Sequence, residues 1–282
     1  MFEPRTAHQH IVTEDRRWQP ALAACRAYDA RVRELAPGLW HWQATHPDWE
    51  ESEPWGPEVS SYALDDGERL LLFDPLAVPD ELEARIRERE TAIVLTAPWH
   101  ERDSQSLCER HGLPVYTPPP DTAEELMEQF GITAEQAGAG SPDVRWLLKG
   151  EAGEAHAYRA GDPLPFGLEA FPGHRPNDVA LWVPDRGAVI VGDTLMDFGT
   201  GLHINERWLR FRPRLTREHV AEGLRPLLDL PVEHVLPAHG YPTDRAALEQ
   251  SPHRLGGVSK PRWSDEFRPP AGSYSYSTDR RY

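Results

Sequence analysis

Five short apolar runs in this chain each lead into side chains that can bind a metal or carry a proton. Leu70-Leu71-Leu72-Phe73 ends at Asp74, and Ile93-Val94-Leu95-Thr96 runs into Trp99-His100-Glu101-Arg102-Asp103. Leu168 to Phe171 is followed by Pro172-Gly173-His174, and Ala188 to Val191 by Gly192-Asp193-Thr194. His234-Val235-Leu236 is followed by Pro237-Ala238-His239-Gly240. In layered α/β proteins strand ends collect at one edge, and the loops there form the site. Imidazoles and carboxylates in such a place, with small neighbours that allow close approach, suit a divalent metal. Taken singly, each piece is ordinary, because a histidine at a strand end is commonly a core or capping residue and Gly-Asp is commonly a turn. Their order and flanking residues carry the signal.

The elements that must position these groups follow from periodicity. Val59 to Leu64, a turn at Asp65-Asp66-Gly67, and Leu70 to Phe73 read as a hairpin. Strands are expected at Gly38 to Trp42, Ala92 to Leu95, Val115-Tyr116, Leu168 to Phe171, Val179 to Val183, Ala188 to Val191 and His234 to Leu236. Between them, Asp80 to Arg87, Ser104 to His111 (ended by Gly112) and Thr216 to Leu228 read as helices, as does 121–148 with a break at Gly138-Ala139-Gly140-Ser141-Pro142. Leu22, Cys25, Tyr28, Val32 and Leu35 predict an amphipathic helix from Pro20 to Leu35. Residues 1–36 are thus read as an arm and helix, 37–250 as one α/β domain with mixed sheets, and 251–282 as a disordered or draped tail. The Ala44–Pro57 loop, which carries Trp49 and Trp55, either packs on the body or lines a substrate mouth.

Composition narrows the function classes. The 282 residues include 39% hydrophobic and 9% aromatic side chains, enough for a sizeable core. Acidic residues outnumber basic ones 46 to 30, and a formal charge of -16 would repel a nucleic acid over most of the surface. No apolar run approaches the ~20 residues that cross a bilayer, and the N-terminus lacks a signal-peptide core. Cys25 and Cys108 make no disulfide framework and read as small core residues. A cytoplasmic protein is expected, acting on a small molecule, with no nucleic-acid or membrane partner; a homodimer is compatible but not required. Arg207, Arg210, Arg212, Arg214 and Arg217 form a basic stretch for salt bridges or an anionic substrate.

From Gly38 to Thr243 the chain resembles the metallo-β-lactamase superfamily of hydrolases. Leu71-Leu72-Phe73-Asp74 is similar to the family's early strand ending in a buried Asp, and Ile93-Val94-Leu95-Thr96 to the strand before its His-x-His-x-Asp-His motif. Pro172-Gly173-His174-Arg175-Pro176 with Val179-Ala180-Leu181, Val191-Gly192-Asp193-Thr194-Leu195 and Leu236-Pro237-Ala238-His239-Gly240 resemble three later family segments in the family's order. The resemblance implies a four-layer αβ/βα sandwich with two mixed β-sheets and a metal site along one edge. It also implies that Asp193 stands where the family's Asp bridges two metals.

The chain departs from the family at the His-x-His-x-Asp-His motif. Aligned from Thr96, the paired histidines become Ala97 and Trp99, the Asp becomes Glu101 and the last His becomes Arg102. A one-residue shift recovers His100 as a ligand with Asp103 in place of the final His; a two-residue shift makes Asp103 the Asp. The registers stay open. His174, Asp193 and His239, joined by His100 or Asp103, suffice for one ion rather than two, zinc by default, with iron or manganese also suited. Glu101 or Asp103 could then serve as general base. The same residues also support a metal-free reading, in which the histidines and carboxylates form a polar cluster, Arg102 supplies the positive charge, and Trp49, Trp55 and Trp99 line a binding cleft.

Overall fold

A computed structural model describes residues 32–51, 55–209 and 216–251. The expected N-terminal arm, most of the Pro20–Leu35 helix, Cys25, the middle of the arginine stretch and the tail beyond 251 lie outside the described residues.

The first sheet runs in chain order: β1 (Arg33–Ala36), β2 (Leu39–Thr45), β3 (Glu58–Asp65), β4 (Arg69–Phe73), β5 (Glu90–Val94), β6 (Pro114–Thr117) and β7 (Glu154–Ala157). The first four strands are antiparallel neighbours, and β4 to β7 are parallel. The second sheet contains β8 (Glu169–Arg175), β9 (Asp178–Val183), β10 (Ala188–Val191), β13 (His234–Pro237) and β14 (Thr243–Asp244), in the order β14-β13-β10-β9-β8. Within it only β10 and β13 pair parallel. A small ribbon, β11 (Leu195–Met196) and β12 (His203–Ile204), completes the strands. The helices are α1 (Asp80–Ile86), α2 (Ser104–His111), α3 (Ala123–Phe130), α4 (Ala134–Ala137), α5 (Arg145–Leu148), α6 (Glu206–Leu209), α7 (Arg217–Leu228) and α8 (Arg245–Gln250).

Strand periodicity explains the layering. On β4, Leu71 and Phe73 face the second sheet, where they meet Leu181, Ile190 and Leu236. Leu70 and Leu72 face the other way, against Leu82 and Ile86 of α1 and Leu107 of α2. On β10, Ala188 and Ile190 join the core between the sheets, while Val189 and Val191 pack on Val220, Leu224 and Leu227 of α7. Strands covered on both faces read as continuous apolar runs, and each such side chain contributes about 1.5–3 kcal/mol on burial. The result is helix, sheet, sheet, helix, the expected four-layer sandwich.

The structure departs from the sequence expectation at two places. Leu35 does not end a helix: Arg33–Ala36 is an edge strand paired with β2. Pro37 holds Ala36 extended, and Gly38 turns the chain at φ +74, where a Cβ would lie 2.0 Å from the Asp65 carbonyl oxygen. The 121–148 stretch is three short helices, two opened by capping boxes at Thr122/Glu125 and Thr133/Gln136. Among the described residues no helix is long and apolar enough to cross a membrane.

Buried His41 on β2 stacks on Tyr62, with ring centroids 5.1 Å apart, and its Nε2 lies 3.0 Å from Ser60 Oγ. Burial first, then Arg33, pushes its pKa down to about 4. The unfolded chain therefore binds this proton more readily than the native one. His41 costs no stability above pH 6.5, and folding should weaken as pH falls from 6.5 toward 4, by about 3 kcal/mol at most. Urea unfolding at pH 7 and pH 4.5 should show a shallower loss in His41→Gln; equal losses in both proteins would refute a neutral, buried His41.

Candidate metal centre

Parallel pairing brings the chemistry to one edge. Phe73 pairs with Val94, so Asp74 and Thr96 emerge side by side from the first sheet. Val191 pairs with Pro237, so Asp193 and His239 emerge together from the second. Backbone bonds stitch the edges together: Ser60 N–H donates to the Ala238 carbonyl (2.9 Å) and Val179 N–H to that of Thr96 (3.0 Å). The Tyr62 hydroxyl adds a bond to the Pro237 carbonyl (2.8 Å).

At this seam His100, Asp193 and His239, all buried, direct one ligand atom each to a common point, with those atoms within 4.8 Å of one another. His100 Nε2 and His239 Nε2 each lie 3.2 Å from Asp193 Oδ1. Ligands about 2.0–2.1 Å from a tetrahedral zinc lie roughly 3.4 Å apart, so this spacing fits a shared ion. The outer nitrogen of His100 supports the same conclusion. Its Nδ1 lies 3.0 Å from Asp74 Oδ2, and a carboxylate only accepts, so Nδ1 carries hydrogen; that leaves Nε2, facing Asp193 Oδ1, as the nitrogen whose lone pair is taken up by either a proton or a metal ion. Asp74 is held in turn by the Thr96 N–H (2.8 Å) and hydroxyl (2.5 Å).

The electrostatics ask for a cation. Burial works against charge on Asp74 and Asp193, yet His100 outweighs it at both, with Arg102 also acting on Asp74 and His239 on Asp193. Both carboxyls stay below the usual carboxylate range, Asp193 well below it. Burial alone would depress His100, but Asp74 and Asp193 on either side push it up to about 9. Positive charge is thus demanded at Nε2, and a proton and a metal ion compete for that lone pair. Burial holds His239 below its usual value, and Asp193 does not reverse this. Its Nδ1 is buried with no hydrogen-bond partner among the described residues.

The structure does not bring the other expected residues into this cluster. Backbone N–H of His174 donates to Thr194 Oγ1 (2.7 Å), and its Nδ1 lies 2.6 Å from Asp178 Oδ2. Asp103 precedes α2, and its Oδ2 accepts the Ala77 N–H (2.6 Å), pinning a loop in which Ala77 has φ +49. Glu101 Oε2 accepts from the Val144 N–H (2.6 Å) and the Trp146 indole (2.9 Å), anchoring α5. Both carboxylates, read as general base or ligand, are structural ties. The cause is local: Pro98–His100 forms a 3₁₀ turn and Arg102 takes φ +42. Arg102 Nη1 thereby reaches the Ser60 carbonyl (2.7 Å) and the Asp74 carbonyl (2.6 Å).

The apolar run of β9 begins at Val179, so periodicity passes over Asp178. It is fully buried and joins the second sheet's loops: Oδ1 accepts the Asp193 N–H (3.0 Å), and Oδ2 meets His174 and the Thr194 hydroxyl. Its signal was an acid four residues after His174 at the start of a strand. Asp178 also explains Gly192, where a Cβ would lie 2.1 Å from Asp178 Oδ1. Beside the cluster, Trp55 stands edge-on to His239 (5.2 Å) and to His46 (5.3 Å), and the Trp49 indole donates to the Trp55 carbonyl (2.7 Å). His203 is buried, with Nδ1 2.9 Å from the Gly201 carbonyl, and Arg217 pairs with Glu206 (2.6 Å). Cys108 is a buried thiol pushed up to about 12, chiefly by burial.

Two sheets face to face, helices outside and a histidine–aspartate cluster at one edge define the metallo-β-lactamase fold. The chain is similar to the crystal structure of VMB-1 (TM-score 0.51, 12% identity, covering 79% of this chain and 94% of that one). It is similar also to that of DIM-1 metallo-β-lactamase exposed to ceftazidime (TM-score 0.51, 14% identity, 79% and 94% covered). At these identities the likeness is one of fold. No protein-family model matches the sequence, and no curated protein does.

Proposed function

We propose that the chain is a metal-dependent hydrolase with one divalent ion, by default zinc, acting on the ester, thioester, lactone or amide carbonyl of a small molecule. The observation that carries this reading is the convergence of His100 Nε2, Asp193 Oδ1 and His239 Nε2, with Asp74 behind His100. Fold alone would not carry it, since function belongs to the site. A divalent ion held by these three residues would acidify water from a pKa of about 16 toward about 7, making hydroxide available at neutral pH.

The chain's own residues prepare that chemistry. Asp74 fixes the orientation and tautomer of His100. Asp193, kept ionised, contributes the negative charge that retains a cation. Trp55, edge-on to His239, packs an apolar ring against that ligand. Arg102, with Nη2 buried and unpartnered among the described residues, places a fixed positive charge beside the carboxylates.

The test is turnover of a panel of chromogenic esters, thioesters and lactones before and after dialysis against a chelator. Loss of turnover on chelation and recovery with one added equivalent of zinc, iron or manganese is expected. Hydrolysis that persists after complete chelation would defeat the proposal. A metal-free binding protein is a second reading, favoured by Trp99 and Trp55 standing on opposite partners of the cluster. Its mark would be ligand-induced quenching of tryptophan fluorescence that survives chelation.

A further inference from the structure

Asp193 has two carboxylate oxygens, and the structure uses them differently. Oδ1 faces both imidazoles, while Oδ2 accepts the Trp99 indole N–H at 2.9 Å. An indole nitrogen only donates, so this contact cannot reverse. It occupies Oδ2 and sets the rotation of the carboxylate about its Cβ–Cγ bond.

Trp99 is itself clamped. The Arg175 guanidinium stands over its ring at 4.3 Å, a cation–π contact. Arg175 is paired with Asp121, whose other oxygen accepts from Asn177 Nδ2 (3.1 Å). All three outer residues are buried; Arg175 ends β8 and Asn177 lies in the turn that leads into β9. The indole is therefore held from behind by the second sheet while its N–H reaches the carboxylate in front. Burial of a charged pair is costly unless it is well bonded, and its placement against one tryptophan face gives the pair a job beyond stability.

We infer that Trp99 is a positioning residue that withholds Asp193 Oδ2 from cations, so that Asp193 binds the ion of the centre through Oδ1 alone. Chelation of one ion, or a bridge that gives one oxygen to each of two ions, needs Oδ2 as well; with the indole N–H on Oδ2, coordination falls to Oδ1. This inference rests on the metal-dependent reading above.

Cobalt(II) is a suitable probe, because its visible absorption weakens as coordination number rises, and its uptake can be counted. Wild-type protein, full length and untagged, should bind one equivalent with an intense band. Trp99→Phe keeps the ring beneath Arg175 but removes the N–H. Its band should fall by about twofold or more as Asp193 becomes bidentate and the site goes from four to five ligands. Circular dichroism controls for folding, and Trp99→Leu replaces the Phe variant should that fail to fold. One equivalent in both proteins with the same band would overturn the inference while leaving the metal-dependent reading intact. No cobalt uptake by wild-type protein would overturn both.

Discussion

Asp193→Ala is expected to abolish metal retention and to lower turnover of any hydrolysed substrate by at least about 10³-fold, about 4 kcal/mol of barrier. The residue holds the centre together, because both imidazole Nε2 atoms converge on its Oδ1 at 3.2 Å. Without it, His100 and His239 are two neutral or protonated rings with no anion between them, and the remaining pair falls below the three protein ligands of a catalytic zinc site. The Asp193 backbone N–H still donates to Asp178, so the loop should stay in place. Metal analysis and steady-state rates on purified variant and parent give the answer; a variant that retains metal and turnover would show that Asp193 is not a ligand.

Asp178→Ala should act chiefly on the fold. The fully buried carboxylate serves the Asp193 N–H, the His174 ring and the Thr194 hydroxyl, and removing it takes this shared acceptor from a place water does not reach. Removing one member of a buried charged network costs about 3–5 kcal/mol. For a domain of this size that lowers the melting temperature by roughly 10 °C. Asp193 is set by the same carboxylate, so metal affinity should fall about 10- to 100-fold as well. Thermal melts followed by circular dichroism test the first effect and metal titration the second. A variant melting within a degree or two of its parent would show that the loops after β8 and β10 are organised by something other than Asp178.

The legible parts of the fold share one physical cause. Leu70–Phe73 and Ala188–Val191 lie between a sheet and a helix layer, so both faces are apolar and the runs announce themselves. Edge strands carry no such pattern. Glu154–Ala157 is half-buried at best, and Arg33–Ala36 looks helical when its apolar residues are counted with those before it. In the site, Asp193 and His239 were legible because each directly follows a strand that must end at the seam. Residues 97–104 were not, since a 3₁₀ turn and a positive φ at Arg102 decide which side chains point inward. Those two features send His100 into the cluster and turn Glu101 and Asp103 to backbone and indole partners. Trp99, where the resemblance placed a lost ligand, still contacts Asp193, now as a donor.

The most direct test of a one-ion centre is metal content by inductively coupled plasma mass spectrometry, on untagged protein purified without chelator. The geometry of His100, Asp193 and His239 predicts about one equivalent of zinc, iron or manganese per chain, recovered on reconstitution after stripping. Metal far below one equivalent, with no uptake on reconstitution, would contradict it and would leave His100, flanked by Asp74 and Asp193, holding a proton where the ion was expected.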